Sequence, residues 1–219
     1  MSNKKVYLNV ASSTYVLRDF INLDNHIFIS FLSYKWLVKW FLSPKRLTFF
    51  NSYYEAAKKA ILFKYDCRKP LPFENNSVDH ILCSHFLEHV YFEECCNILE
   101  DYYRVLKVGG TVHIVLPDIE DMVRQYQINK QLGDSDAANK LMTVSLLSNK
   151  SRGSLIYRLL EFQGGFGLQH RWMYDYESIS KKLIEKGFKL IDKNNKTPSD
   201  DFRINDKSIH IFCKKISKE

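Results

Sequence analysis

Glycine is scarce in this sequence: 8 residues of 219, every one at Gly109 or later. Proteins ordinarily carry about 7% glycine. The first 108 residues therefore contain neither a GxGxxG turn nor a GxxxxGK[ST] loop. Both need glycine where the backbone closes on a phosphate, so an N-terminal phosphate cradle of that kind is excluded. Cysteine is sparse as well. Cys67, Cys83, Cys95, Cys96 and Cys213 form an odd set without CxxC spacing, which reads as small buried thiols in a reducing compartment. No run reaches the roughly 18 charge-poor apolar residues of a membrane span. The start, MSNKKVYLNV, lacks the apolar segment of a signal peptide. The expectation is a cytoplasmic chain, or one peripheral to the inner face of the membrane.

What is present suits one domain over residues 1–219. Hydrophobic residues make up 45% and aromatics 14%, enough to bury a core and offset ordering entropy. Strands are expected at Val6–Val10, Asp19–Asp24, Ile61–Tyr65, Val78–His85, Thr111–Leu116, Phe188–Asp192 and Ser208–Lys214. Helices are expected over Ile27–Leu42, halted by Ser43-Pro44, and over Tyr53–Ala60. Further helices are expected at Phe92–Lys107, stopped by Gly109-Gly110, over most of Ile119–Leu147, and at Tyr176–Lys186, capped by Gly187. Strands alternating with helices imply an α/β, Rossmann-like, mostly parallel sheet of about seven strands with helices on both faces. Residues 25–60 form a helical, basic and aromatic insertion. Residues 119–173 form a helical insertion ending in a segment with Gly153, Gly164, Gly165 and Gly167, suited to a lid over the site.

Ligands of open parallel sheets sit at the carboxyl ends of the strands. Those ends read Ala11-Ser12-Ser13, Asp24, Asp66-Cys67, Ser84-His85 and Pro117-Asp118. An acid after the second strand suits a pair of ribose hydroxyls, and one after the third suits an adenine amino group. Singly, each is as well explained as a turn or cap residue; in this order they point to a nucleoside. Only eight residues separate Val10 from Asp19, too few for a crossover with a full helix.

The stretches LPFENNSVDHILCSHFLEHV and NILEDYYRVLKVGGTVHIVLPD resemble the central block of class I S-adenosylmethionine-dependent methyltransferases of the type 11 kind, with Val108 in place of the family's proline. HRWMYDYESISKKLIEKGF resembles the family's penultimate helix entry. RINDKSIHIFCKK is similar to the closing strand of a branch found near sugar and cell-envelope biosynthesis. The resemblance implies S-adenosylmethionine as cofactor, with Asp24 on its ribose, Asp66 and Cys67 on its adenine, and Asn9, Ala11, Ser12, Ser13 and Ser84 along the rest. The first motif departs from the family: Ala11 and Ser13 stand where glycines are expected. Such side chains suit the loop where φ stays negative.

Methyl transfer needs alignment above all, with a base where the acceptor requires one. His85, His89 and His170 are the candidate bases, each equally readable as a structural histidine. Three separated histidines without paired spacing specify no metal site. Phe166, Trp172 and Tyr174 would wall an acceptor pocket. The implied function is methylation of a small-molecule or saccharide acceptor, with a catalytically inactive scaffold of the same fold as the alternative. A dehydrogenase is disfavoured by the missing pyrophosphate loop.

Asn25–Tyr54 contains no acid, yet it holds Lys35, Lys39, Lys45 and Arg46 among seven Phe and Trp side chains. Residues 27–50 therefore suit an anionic membrane surface, packing on the sheet, or a homodimer contact. The pattern does not point to a nucleic-acid partner despite a pI near 9.0, because no stacking module or basic helix accompanies it.

Overall fold

The computed structural model describes residues 4–148, 169–192, 197–200, 202 and 206–217. The glycine cluster of the expected lid, together with Phe166, lies outside the described residues. The elements run β1 (Tyr7–Val10), β2 (Ile21–Asp24), a 3-10 helix (Ile27–Tyr34), α1 (Lys35–Val38), α2 (Pro44–Lys59), β3 (Leu62–Lys64) and β4 (Val78–Ser84). A 3-10 turn (Leu87–His89), α3 (Phe92–Val105), β5 (Leu106–Pro117), α4 (Ile119–Gln131) and α5 (Ala137–Ser145) follow. The order ends with α6 (Tyr176–Glu185), β6 (Phe188–Leu190) and β7 (Ser208–Lys215). The sheet has seven strands in the order β3-β2-β1-β4-β5-β7-β6. The first five in that order pair in parallel, and β7 pairs antiparallel with both β5 and β6.

Period-2 patterning sorts β4 between the faces. Ile81 and Cys83 join the main core with Ile98, Leu99 and Tyr102 of α3 and with Ile179 and Leu183 of α6. Leu82 turns to the opposite face with Phe20 and Val115, over which Leu17 and Phe202 pack. A register shift between Val78 and His80 lets Val78 also reach the main core. The second face is unusually polar. His80 bonds Thr111 Oγ1 at 2.7 Å and Ser199 Oγ at 2.8 Å, Ser199 Oγ lies 2.9 Å from His113, and His113 lies 3.0 Å from His210. Burial holds the His80 ring down at about 4, so it enters this network neutral near pH 7.

Two expectations need correction. Ile27–Leu42 is not one helix: it forms the 3-10 helix and the four-residue α1, neither with a buried residue. Its β-branched and aromatic residues favour helix poorly, and Pro44 opens α2 at its first turn rather than closing what precedes it. Gly109-Gly110 is not a helix stop either. The helix α3 ends at Val105, and both glycines lie within β5. A Cβ on Gly110 would meet Lys107 O at 2.9 Å and Asp79 O at 3.2 Å, so close strand approach is what requires glycine there.

The shortened first crossover is as anticipated: no helix lies between β1 and β2. Asn22, fully buried, organises the segment instead. Its Nδ2 donates to the carbonyls of Phe20 and Ile61 at 3.0 and 2.9 Å, with that of Leu17 also at 3.0 Å. Its Oδ1 accepts from Leu17 N at 2.9 Å and from Asn9 Nδ2 at 2.8 Å. Removing the amide would strand several buried groups, each costing about 1–3 kcal/mol. The Asn22→Ala variant is expected to lose on the order of 3 kcal/mol in urea unfolding; a loss below about 1 kcal/mol would contradict this role.

Candidate functional site

The chain leaves β1 through a loop that follows a glycine path without glycine. Ala11 has φ +53° and Ser13 φ +49°, the left-handed region, so the condition of negative φ under which these side chains suit the loop is not met. Each such residue costs roughly 1–2 kcal/mol. Hydrogen bonds from β2 hold it there: Ser12 N–H donates to Leu23 O at 2.9 Å and Ser13 N–H to Asp24 Oδ2 at 3.0 Å. Asn9, buried beside them, donates to Tyr15 O at 2.8 Å and to Asn22, so it shapes the loop from beneath.

Asp24 is the hub of this half. Its Oδ1 accepts from Tyr53 Oη at 3.1 Å and from His26 N at 2.8 Å. A carboxylate offers about four lone-pair sites, and Ser13, Tyr53 and His26 use three. Tyr53 is buried, and the His26 ring stacks on it at 4.7 Å with 17° between planes. Burial first, then the Asp24 charge, raise the Tyr53 phenol above its ordinary range, which keeps it a donor. Burial lowers His26, whose neutral Nδ1 accepts from Phe28 N at 3.2 Å.

Asp66, expected at adenine, is gripped by its own turn. Arg68 forks onto it with Nε and Nη2 at 2.9 and 2.8 Å, holding the carboxyl below the usual carboxylate range. Cys67 lies buried under the loop, and burial pushes its thiol up to about 12. Ser84 ends β4 opposite Val115.

Across the switch point between β1 and β4, the three candidate histidines gather around one carboxylate. His85 has φ +51°, and its N–H donates to Val115 O at 2.9 Å. Its Nδ1 lies 3.2 Å from Glu88 Oε1, and His89 Nε2 lies 3.9 Å from the same oxygen. The rings of His89 and His170 meet edge to face at 4.9 Å. Glu88 O accepts from the N–H groups of Arg171 and Trp172, at 2.6 and 3.2 Å, which joins distant parts of the chain. Glu88 is fully buried, and neither carboxylate oxygen has a hydrogen-bond partner. The sequence reading did not single it out. The available signal was a charged residue in the apolar turn FLEHV, directly preceding His89.

The insertion after β5 walls a cavity of about 340 Å³ that opens on His85, lined among others by Met122, Gln125, Tyr126, Lys140 and Ser208. Neither Trp172 nor Tyr174 of the expected aromatic wall lines it. Trp172 is half exposed and sits edge-on to Phe92 at 5.0 Å. Tyr174 is a correction: it is 1% exposed and packed in the main core. Its backbone bridges Asp118 at the end of β5, which directs the ring inward.

Relief of the strained loop is measurable. The Ser13→Gly variant is expected to gain on the order of 0.5–1 kcal/mol in thermal unfolding, because strain relief exceeds the added entropy of the unfolded chain. A loss instead would show that the Ser13 Oγ contact to Tyr53, at 3.4 Å, outweighs the strain.

Residues 37–114 match the family model described as a methyltransferase domain. Comparison with curated proteins finds no match. Among solved structures, a Methanosarcina mazei S-adenosylmethionine-dependent methyltransferase superposes with TM-score 0.54 at 14% identity, covering 100% of this chain and 95% of that one. The complex between the Haloferax volcanii Trm112 methyltransferase activator and a methyltransferase gives TM-score 0.53 at 11% identity, with 100% and 85% covered. An Archaeoglobus fulgidus methyltransferase of the same cofactor class gives 0.50 at 13%, with 96% and 86% covered. Residues 37–114 carry the sequence pattern of a methyltransferase domain, and the chain has the fold of the class I methyltransferases, whose cofactor is S-adenosylmethionine.

Proposed function

We propose that this protein methylates a small-molecule or saccharide acceptor held in the cavity beside His85. One observation carries the reading. The left-handed Ala11–Ser13 loop, hydrogen-bonded to Asp24, faces the His85–Glu88 cluster across the β1/β4 switch point, where such sheets take ligands. The residues fit the cofactor in kind. A sulfonium nucleoside has no phosphate, so the missing crossover helix removes nothing it needs, and Asp24 keeps a lone-pair site for a ribose hydroxyl. Asn9 through Ser13 would follow the methionine arm, with Cys67 and the Asp66 turn at the adenine. When bound, S-adenosylmethionine supplies an electrophilic methyl group on sulfur. His85, positioned by Ser208 Oγ at 3.3 Å and by Glu88, would take the acceptor's proton while the α4–α5 wall holds the acceptor in line. The saccharide assignment, and with it a place in cell-envelope glycan assembly, rests on the resemblance of the RINDKSIHIFCKK sequence.

A second reading, a binding or scaffolding subunit without catalysis, is favoured by the self-satisfied acids: Asp24 and Asp66 already have partners within the chain. Calorimetry with S-adenosylhomocysteine separates the two. The methyltransferase reading expects one site, weakened tenfold or more (about 1.4 kcal/mol) in Asp24→Asn. No heat at millimolar ligand, for wild type and variant alike, supports the scaffold.

Residues 27–50 support a peripheral membrane contact. Trp36, Trp40 and Phe41 are 67%, 76% and 78% exposed, and Lys35, Lys39, Lys45 and Arg46 flank them. Among the described residues no helix is long and apolar enough to cross a membrane. Co-sedimentation with phosphatidylserine vesicles is expected, with little pelleting on neutral vesicles or in the Trp40→Ser/Phe41→Ser double variant. Absence of pelleting together with a dimer in light scattering would assign this face to a second copy of the chain.

A further inference from the structure

We infer that Glu88, His89 and His170 form a binding site for one divalent transition-metal ion at the end of β4. Their ligand atoms lie within 4.8 Å of one another, the one such His/Cys/Asp/Glu group among the described residues. Ligands at about 2.0–2.2 Å around a tetrahedral ion stand roughly 3.4 Å apart, so loading would draw these atoms together by up to about 1.4 Å.

The protonation pattern prepares both histidines as ligands. His89 Nδ1 faces the carbonyl of Gln169 at 3.2 Å, and His170 Nδ1 faces the thioether of Met173 at 3.2 Å. Carbonyl and thioether only accept, so a hydrogen on Nδ1 is the tautomer that suits both contacts, and it leaves Nε2 as the ligand atom of His89; the His170 ring also bonds the Ser145 backbone, a contact that metal binding through Nε2 would replace. The Nδ1 contact is the outer-shell arrangement of metal-bound imidazoles, whose second nitrogen donates to a neighbouring acceptor. Glu88 supplies the negative charge. A fully buried carboxylate without a hydrogen-bond partner is costly, and a cation on its oxygens removes that cost. His85, at 3.2 Å from Oε1, stands behind the carboxylate as a positioning residue. The N–H groups of Arg171 and Trp172 on Glu88 O hold the His170 segment against the Glu88–His89 turn without spending either side chain.

Two imidazoles and one carboxylate suit zinc, ferrous iron or manganese rather than calcium or magnesium, and three protein ligands leave positions open for water or substrate. The site itself stands apart from cofactor binding, but its use in catalysis rests on the methyltransferase reading. An acceptor hydroxyl in an open position would lose its proton more readily. That proton passes to water, the oxygen forms the new bond to carbon, and the carbon–sulfur bond breaks to release a neutral thioether.

The test is a titration of the metal-free full chain with Co²⁺, followed by visible absorption and calorimetry. The expected result is one equivalent, with a nitrogen/oxygen-type spectrum lacking thiolate charge transfer. Affinity should fall at least tenfold in Glu88→Gln and in His170→Phe, and stay unchanged in Cys96→Ser. If Glu88→Gln fails to fold, His89→Phe replaces it. Absence of saturable one-to-one binding, thiolate bands, or wild-type affinity in the ligand variants would overturn the site. Because S-adenosylhomocysteine binding is measured without metal, loss of the cofactor reading and loss of the metal site are separate outcomes.

Discussion

The first crossover, and the loop that follows β1, depend on one side-chain amide. With only residues 11–20 between β1 and β2, the first crossover has no helix to satisfy its backbone, and Asn22 takes over that task from the middle of a parallel strand. Its side chain binds the crossover to β3 through Ile61 and to β1 through Asn9. The Ala11–Ser13 loop rests on this layer, and Asp24, two residues further along the same strand, closes it from above. A short connection and a bonded acid are thus two ends of one four-residue strand.

The opposite half of the site obeys another constraint, burial of charge. Glu88 sits in a 3-10 turn between β4 and α3, with its side chain turned into the protein. Histidines from the strand end, from its own turn and from a segment beyond α5 approach it. One half of the site is therefore held by satisfied hydrogen bonds, and the other is organised around an unsatisfied carboxylate.

Much of this could be read from the sequence. The seven strands, their mostly parallel order and the helix-free first crossover follow from periodicity and spacing, because a strand buried on both faces, such as VDHILCS, leaves little alternative. The strand-end acids and histidines fall where topology puts them. Punctuation was harder: Pro44 and Gly109-Gly110 signal a boundary but not which side of it they serve, so one helix was extended and another stopped too late. The fork from Arg68 onto Asp66 was not legible, because a contact two residues on is a matter of rotamer rather than of spacing. Tyr174 read as a wall because its bridge to Asp118 crosses 56 residues of chain. Glu88 went unnoticed because its meaning depends on His170, which only the tertiary fold brings near.

Ala11 and Ser13 carry a further consequence. A glycine in the same loop would be free to explore both halves of conformational space until a ligand arrived, and ordering it would draw on binding energy. Alanine and serine have fewer conformations to surrender in the unfolded chain. The strain is met once, during folding, and the loop is pre-organised before any ligand meets it. The expected signature is thermodynamic: association at this end should show a smaller entropic penalty than a glycine loop would impose, and a narrower tolerance for ligands of altered shape.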